Sequence, residues 1–178
     1  MSKAHASAGT GWNLKLHDGT DVLIRSISRD DAERELEFLE HLSPEFRNAR
    51  FLGLIQDPSP EVARRLTDLD PTKAVGFIAL VSHKGRDRQI GAAQFHVNAR
   101  GDSCDSSLTV SGEWRKRGVG TLLMQRLIEA ARARGIRHMR AYIQAPSGAG
   151  DQLAIRLGFQ RRLDPHDPAT VIYDLELH

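Results

Sequence analysis

The sequence predicts a mixed α/β (α+β) domain, with a mostly antiparallel sheet, one central parallel β-α-β pair and helices on both faces. Apolar and polar residues alternate in segments joined by short turns, which indicates antiparallel strands. One stretch of helical period separates the strand-like segments 106–111 and 138–144, and such a crossover implies a parallel pair. A length of 178 residues fits one domain with its own core.

The N-terminal part is predicted to form a hairpin. Residues 1–10 are small and polar and predict a flexible tail, followed by a single domain of residues 11–178. Two strand-like segments, 12–16 and 22–27, then flank the dipeptide Asp18-Gly19. Asp-Gly between alternating segments is a strong signal for a tight hairpin turn.

Two helices are predicted next. The first starts near Ser28 or Asp30, because either side chain can cap the free amides of its first turn. Its predicted apolar face consists of Ala32, Leu36, Leu39 and Leu42. The second covers residues 60–69 after the capping residue Ser59, and the intervening segment 47–51 has no clear period.

The second half alternates between strand and helix patterns. A helix is predicted from Gly118, because apolar residues recur every four positions, and Gly135 stands where a helix C-terminal glycine belongs. A turn is predicted at residues 84–87. The other predicted elements are strands at 74–82, 89–98, 106–111, 138–144, 159–163 and 171–177, and a short helix at 150–157.

Composition and charge exclude several classes of function. The chain has 25 Lys and Arg against 23 Asp and Glu, a net charge of +2, whereas nucleic-acid-binding domains are usually strongly basic. The one cysteine, Cys104, permits no internal disulfide. No apolar run approaches the roughly 18 residues of a membrane span, and no signal-peptide pattern is present. We therefore expect a cytoplasmic monomer or homodimer without nucleic-acid or membrane partners.

The segment 108–121 carries the chemical signal. A strand ends near Val110, the basic triplet 115–117 follows, and Gly118 and Gly120 open an amphipathic helix. A helix N-terminus presents about four unpaired amides and a partial positive charge. Glycines let a ligand approach the backbone, and the three cations attract a polyanion. The segment therefore predicts a phosphate-binding loop.

The loop has one other possible interpretation, and two known phosphate-binding motifs do not fit it. Gly118 and Gly120 are also compatible with a plain strand–helix turn flanked by solvated cations. A Walker loop is excluded, because its Lys followed by Ser or Thr does not come after the second glycine. A dinucleotide-binding fingerprint is excluded, because Leu123 stands where its third glycine belongs.

These motifs resemble those of the GNAT superfamily of N-acetyltransferases. Arg115-x-x-Gly118-x-Gly120, after a strand ending at Val110, is similar to the acyl-CoA pyrophosphate loop of that superfamily. Leu157-Gly158-Phe159 resembles its second landmark, and together these features cover residues 104–163. Within the superfamily, the chain most resembles the acetyltransferase domain of the Pat-type bacterial protein-lysine acetyltransferases. This closer likeness is carried by Asp18-Gly19, Ile24-Arg25, Leu42-Ser-Pro-Glu45-x-Arg47, Arg50-Phe51 and, in outline, residues 92–110.

The resemblance implies an acetyl-CoA-dependent N-acetyltransferase that needs no metal. The acetyl group would pass to a primary amine, of a protein lysine or a small molecule, by direct attack in a ternary complex. The backbones of Leu108 and Val110 would pair with the pantetheine arm, and the Val110 amide would stabilise the developing oxyanion. The residues implied to bind the CoA phosphates are Arg115, Lys116, Arg117, Gly118, Val119, Gly120 and Thr121, the last five through backbone amides.

The resemblance also implies Asp105 as the general base. Pat-type enzymes carry a glutamate on the strand before the loop, and counting back from Val110 places Asp105 there. The alternative is a surface residue at a strand start. Many GNAT enzymes protonate the leaving thiolate with a tyrosine, but Ala154 stands at that position and Ser147 replaces a frequent asparagine. The proton would then come from solvent or from Tyr142.

Other reactive side chains are weaker candidates. Cys104 is expected to be a small buried residue and not a nucleophile. His96 is a second candidate base, although its position favours a packed or solvated histidine. His138 and His166 have no neighbours with the spacing of metal ligands, so no metal site is predicted.

Two other functions compete with acetyl transfer. The absence of the usual tyrosine favours a non-catalytic domain that senses CoA or acyl-CoA. A structural domain whose basic loop binds another phosphate is a weaker alternative. The acceptor pocket is expected from the N-terminal segment 42–70, and the sequence does not indicate which amine it binds.

Overall fold

The computed structural model describes residues 11–44, 57–143, 148–168 and 170–178. The predicted tail 1–10, the segment 47–51 and Ser147 lie outside the described residues, as does the side chain of Tyr142. The division into a tail and a single domain therefore stays a prediction.

The described strands form one sheet in the order β1-β2-β3-β4-β5-β6-β8-β7. Their bounds are β1 (Gly11–Lys15), β2 (Asp21–Ser26), β3 (Ala74–His83), β4 (Arg86–Val97), β5 (Ser103–Val110), β6 (His138–Ile143), β7 (Gln160–Leu163) and β8 (Val171–Glu176). All neighbouring pairs are antiparallel except β5 and β6, which run parallel. The predicted mixed sheet with one central parallel pair is confirmed.

Four α-helices occur in the part of the chain that the structure describes. They are α1 (Ala32–His41), α2 (Pro60–Thr67), α3 (Val119–Ala133) and α4 (Ala149–Arg156). The larger apolar core packs α3 against one sheet face, where Leu123, Leu127 and Phe95 are fully buried. A smaller cluster around Leu39 and Ile78 packs α1 and α2 on the opposite face. Helices on both faces were predicted, and this is confirmed.

The predicted hairpin forms at Asp18-Gly19. Gly19 has φ +83°, a left-handed conformation that costs glycine little, and its N–H donates to the carbonyl of Leu16 at 3.0 Å. The turn joins β1 and β2 in register, with Lys15 opposite Asp21. The tip of this hairpin becomes important in the site described below.

The start of α1 differs from the prediction. A short 3-10 turn, Arg29–Asp31, precedes the helix, and the N–H of Ser28 donates to the Asp31 carboxylate at 2.9 Å. The predicted apolar face is wrong in two positions, because Ala32 and Leu36 are only half-buried, whereas Glu35 is fully buried. Burial of Glu35 is possible because its Oε2 accepts a 2.6 Å hydrogen bond from the Gln89 amide.

β5 begins three residues earlier than predicted. The side chain of Asn98 closes the preceding turn by accepting the N–H groups of Asp102 and Ser103 at 3.2 and 3.3 Å. This turn lets β5 pair with β4 from Cys104 onward. Asp105 is consequently inside the strand and not at its start.

Candidate functional site

The last residue of β5, Val110, directs its backbone N–H and C=O away from β4. Val110 faces Gly91 across the two strands, and the next N–H, of Ser111, donates to Ile90 at 2.8 Å. Backbone hydrogen bonds alternate in direction along an antiparallel strand, so the N–H and C=O of Val110 point towards the β6 side. Over the described residues, the β5–β6 ladder extends to the pair Leu108–Ile143. The Val110 amide is therefore directed to the space beyond that ladder.

The loop between β5 and α3 has an unusual backbone. After the 3-10 turn Gly112–Trp114, Lys116 has φ +58° and Gly118 has φ +98°. The left-handed region is unfavourable for lysine because of its Cβ atom, so neighbouring contacts must hold the loop in place. The carbonyl of Gly118 accepts the Leu122 N–H at 3.1 Å, which closes the first turn of α3. The loop thus ends at the positive end of the helix dipole.

A cavity of about 390 Å³ opens beside this loop. Its walls come from the β1–β2 turn, the end of β5, the loop with the first turn of α3, and α4. The lining residues are His17, Leu108, Val110, Trp114, Arg115, Lys116, Gly118, Gly120, Thr121, Ala149, Gly150, Gln152, Leu153 and Arg156. The combination of cationic and apolar side chains in this lining fits a ligand with a phosphate-bearing end and an uncharged arm.

Gly120 lies where α3 approaches β5 and α4 most closely. A Cβ atom at this position would be 3.1 Å from Leu153 Cδ2, 3.2 Å from Leu108 Cδ2 and 3.7 Å from Val110 Cγ2. The first two contacts are tighter than ordinary van der Waals contacts, so even a methyl group would push on its neighbours. A larger side chain would project into the cavity.

Seven of the nine residues predicted to bind the donor line this cavity, and two do not. The seven are Leu108, Val110, Arg115, Lys116, Gly118, Gly120 and Thr121. The side chain of Val119 is fully buried in the core under α3. Arg117 turns its guanidinium away from the cavity, onto Asp18 and the ring of Trp114. Val119 could therefore contact a ligand only through its backbone, and the Arg117 side chain is not part of the cavity wall.

The model of the Acetyltransferase (GNAT) family matches residues 32–159. The chain belongs to this family. It is an N-acetyltransferase of the GNAT fold, and its relatives agree with this assignment.

Three relatives of this GNAT chain show how far the likeness extends. It is 36% identical over 172 residues to "Acetyltransferase PA5475" of Pseudomonas aeruginosa, which covers 97% of this chain and 92% of that protein. The GNAT domain of PAT from S. lividans superposes with a TM-score of 0.81 at 24% identity, over 97% of this chain and 100% of that one. The paia N-acetyltransferase from Thermoplasma acidophilum, in complex with coenzyme A, gives a TM-score of 0.60 at 16% identity, over 87% and 98%. The second match supports the predicted likeness to Pat-type GNAT domains.

The structure does not bring the two predicted catalytic residues together. Asp105 is exposed and lies five residues before Val110 on β5, so the two side chains point to opposite faces of the sheet. Five residues of strand span about 17 Å at about 3.4 Å per residue. Asp105 lines a second cavity, of about 880 Å³, together with Arg140 and Asp174, whose side chains form an ion pair at 3.5 Å. Its catalytic role therefore stays a prediction.

The other candidate side chains are also placed. Cys104 is buried, and burial followed by the charge of Asp105 raises its pKa to about 12, which makes the thiol unreactive. His96 is exposed and pairs with Asp105 across β4 and β5. Ala154 is fully buried on the inner side of α4.

The described residues contain no group of three or more His, Cys, Asp or Glu side chains placed to hold a metal ion. Within the same ranges, no helix is both long and apolar enough to cross a membrane.

Sequence reasoning missed two walls of the cavity. His17 comes from the β1–β2 turn, and Gln152, Leu153 and Arg156 come from α4. Gln152 and Arg156 are four residues apart and so share a helix face, which is a signal the sequence does contain. That this face is turned to the loop follows from the packing of α4 on the sheet, which the sequence pattern does not reveal. Trp114 also lines the cavity, and the sequence predicts no role for it.

Proposed function

We propose that this GNAT-family N-acetyltransferase moves an acetyl group from acetyl-CoA to a primary amine by direct attack in a ternary complex. The cavity beside α3 is the observation that carries the proposal. It joins the loop glycines, two cationic side chains of the loop and the end of β5 in one continuous wall. The relative from Thermoplasma acidophilum was solved in complex with coenzyme A, which supports the same donor here.

The phosphates of CoA would bind at the loop. The amides of Arg117, Gly118, Val119, Gly120 and Thr121 would donate to the pyrophosphate, and they lie at the positive end of α3. Lys116 and Arg115 would add charge attraction from the rim. This arrangement does not require the side chains of Arg117 and Val119, in agreement with their positions outside the cavity.

The pantetheine arm would extend from the loop along β5. The N–H and C=O of Val110 point to the β6 side, so a pantetheine arm there could pair with them as an added strand would. The Val110 carbonyl already accepts a hydrogen bond from Arg115 Nε at 3.2 Å. We therefore assign the N–H of Val110, and not its carbonyl, to the ligand. It would donate to the thioester oxygen as that oxygen becomes negative.

The transfer itself would be a single acyl exchange. The neutral amine attacks the thioester carbon, a C–N bond forms, and the carbonyl oxygen carries the negative charge beside the Val110 amide. The carbon–sulfur bond then breaks and CoA leaves as its thiolate. The amine loses one proton and the thiolate gains one, so no other reactant is needed.

The attacking amine must lose its proton to an acceptor. Asp105 remains our predicted base, although it lies five residues along β5 from Val110 and faces the other side of the sheet. His96, its exposed neighbour across the sheet, is the alternative. A protein lysine or a small-molecule amine would reach this region from the sheet face opposite α3. The likeness to Pat-type domains favours a lysine.

A non-catalytic CoA sensor is the second candidate function. Two observations favour it: Ala154 replaces the tyrosine of many relatives, and Asp105 does not line the donor cavity. A screen of acceptor amines that follows release of free CoA thiol separates the two functions. Turnover with any amine supports the transferase, and CoA binding without turnover across protein, peptide and small amines supports the sensor.

Gly120→Glu tests the donor site directly. The side chain would block the cavity and place a negative charge where phosphates are expected, so CoA binding should be lost in calorimetry. Gly112→Glu is the matched control, because an added Cβ there meets no atom within 4 Å. It should retain most of the affinity. Unchanged CoA affinity in a folded Gly120→Glu protein would exclude this cavity as the donor site.

Cytoplasmic location, a monomeric or homodimeric state, and the absence of nucleic-acid and membrane partners stay predictions.

A further inference from the structure

The tip of the β1–β2 hairpin contacts the loop that precedes α3. The imidazole of His17 would lie 3.5 Å from a Cβ built on Gly118, which is ordinary van der Waals distance. Leu16 Cδ2 lies 4.0 Å from the same point and is itself buried. The hairpin is therefore packed against the loop backbone, about one hundred residues away in sequence.

Asp18 links the two segments by hydrogen bonds. Its Oδ1 accepts the N–H of Thr20 at 2.9 Å, which fixes the carboxylate within the hairpin turn. Its Oδ2 accepts from Nε of Arg117 at 3.0 Å and also from Nη2. Hydrogen bonds from the side chain and amide of Thr20, and then from Arg117, hold the pKa of Asp18 well below its usual range. The carboxylate is thus ionised throughout the neutral range.

Arg117 is half-buried and is held between two partners. Its guanidinium carbon lies 4.1 Å from the centre of the Trp114 ring, within the range of a cation–π contact. Nη2 also approaches the hydroxyl of Thr20 at 3.4 Å. The side chain is therefore fixed by a carboxylate on one side and an indole on the other, and it does not line the cavity.

Arg117 lies between the two loop residues that have an unusual backbone conformation. Its two neighbours, Lys116 and Gly118, are the residues with left-handed backbone. Such conformations persist where surrounding structure over-determines them. Fixing the side chain between them restrains the rotation of both neighbouring peptide units, and so the directions of the amides that follow.

We infer that Asp18 is a positioning residue for the CoA site: through Arg117 it holds the loop in the conformation that presents its amides to the phosphates. This inference rests on the proposed function, because the loop must bind CoA for the positioning to matter. Asp18 does not line the donor cavity, so it would act through Arg117 and not by contact with CoA.

Whether CoA binding weakens or strengthens when the charge of Asp18 is removed distinguishes a positioning role from simple electrostatic repulsion. A carboxylate near a phosphate site repels the ligand, so a purely electrostatic view predicts that neutral Asp18 and a released Arg117 would strengthen CoA binding. Positioning predicts the opposite result, since a loosened loop must be ordered again when CoA binds.

The test is calorimetric titration of CoA into the full chain. Asp18→Asn is expected to weaken CoA binding about fivefold, the size expected when a well-formed surface ion pair that orders a loop is lost. Asp21→Asn is the matched control, because Asp21 has the same charge in the same hairpin but pairs with Lys15. It should change the affinity by less than about twofold.

A double-mutant cycle identifies Arg117 as the link. In an Arg117→Gln background, Asp18→Asn should weaken CoA binding by less than about twofold further, because the interaction is already absent. Unchanged or tighter CoA binding by folded Asp18→Asn overturns the inference. If Asp18→Asn does not fold, Arg117→Lys is the substitute variant, because it keeps the positive charge and loses the two hydrogen bonds from the guanidinium to Asp18. Unchanged CoA affinity in folded Arg117→Lys would also overturn the inference.

The Gly120→Glu variant separates this outcome from failure of the proposed function. Wild-type protein that binds no CoA, or Gly120→Glu protein that binds it normally, would remove the donor site and the inference with it. CoA binding that is lost in Gly120→Glu but unaffected in Asp18→Asn would remove the inference alone.

Discussion

The side chain of Asp105 lies on the same face of the sheet as its two polar cross-strand neighbours, His96 on β4 and Arg140 on β6. Arg140 also pairs with Asp174, so this part of the sheet carries both signs of charge. On the opposite face, Cys104 and Leu108 are buried in the core. A residue here can meet an acceptor that lies over the exposed face, although it lies far along the strand from Val110.

Replacing Asp105 by Asn measures its part in the reaction. If Asp105 accepts the amine proton, kcat should fall about 100-fold while the affinity for acetyl-CoA is unchanged, since the donor cavity does not include this side chain. Steady-state rates between about pH 6 and pH 9 and CoA calorimetry provide the two readouts. Full activity over that range would instead assign the base to another group, and His96→Asn is then the next variant.

At the scale of elements, the loop and the start of α3 contribute positive charge to the cavity, and α4 and the hairpin form its other walls. Lys116 is exposed on the rim and takes a left-handed backbone conformation. Its ammonium is strongly hydrated and mobile, so it contributes through long-range attraction more than through a fixed contact. Attraction of this kind is weakened by salt.

Lys116→Gln should therefore weaken CoA binding about threefold at low salt, and the difference should shrink towards about 1 M salt, where the Debye length is only about 3 Å. CoA titrations at several salt concentrations provide the measurement. Lys73→Gln is the control, because Lys73 is equally exposed and pairs with Asp70 outside the cavity. A threefold loss that persisted unchanged in high salt would indicate a direct contact in place of field attraction.

The elements that could be predicted from the sequence are those whose signal is local. Gly118, Gly120 and the four-residue apolar period of α3 occur within one continuous segment, so the loop and helix were predicted close to their observed bounds. The contact of Asp18 with Arg117 joins residues that are distant in sequence and is set by the sheet order, so no local pattern reveals it. The same holds for α4, whose cavity-facing side depends on its packing. Glu35 was not expected in the core because its partner, Gln89, lies on another element.

At the scale of the whole molecule, one buried ion pair joins the sheet to the helices on one of its faces. Asp31, at the start of α1, is only 3% exposed and accepts two hydrogen bonds from Arg25 on β2, at 2.6 and 2.8 Å. The amide of Ser28 donates to the same carboxylate at 2.9 Å, and Arg34 lies 3.6 Å away. A buried charge is stable only with such partners, so breaking the pair should weaken the whole fold.

Asp31→Asn is expected to lower the free energy of unfolding by about 3 kcal/mol at neutral pH, because it leaves Arg25 half-buried without its charge partner. Burial alone raises the pKa of Asp31, but the hydrogen bonds from Arg25 and Ser28 and the charges of Arg25 and Arg34 outweigh it and lower the pKa. The native state therefore binds this proton less readily than the unfolded state. The stabilisation is fully present above the unfolded pKa of about 3.9 and is lost progressively as the pH falls from there through the lower pKa of the native state.

Urea unfolding of wild type and Asp31→Asn at pH 7 and at about pH 3 tests this sign. The difference between the two proteins should be large at pH 7 and should narrow in acid, because below about pH 3.9 the unfolded chain binds a proton at Asp31 that folding must release. Asp21→Asn provides the control, since its exposed pair with Lys15 should contribute less than about 1 kcal/mol at either pH. An Asp31→Asn deficit of the same size at both pH values would mean that the side chain stabilises the junction by its shape and hydrogen bonds, and not by its charge.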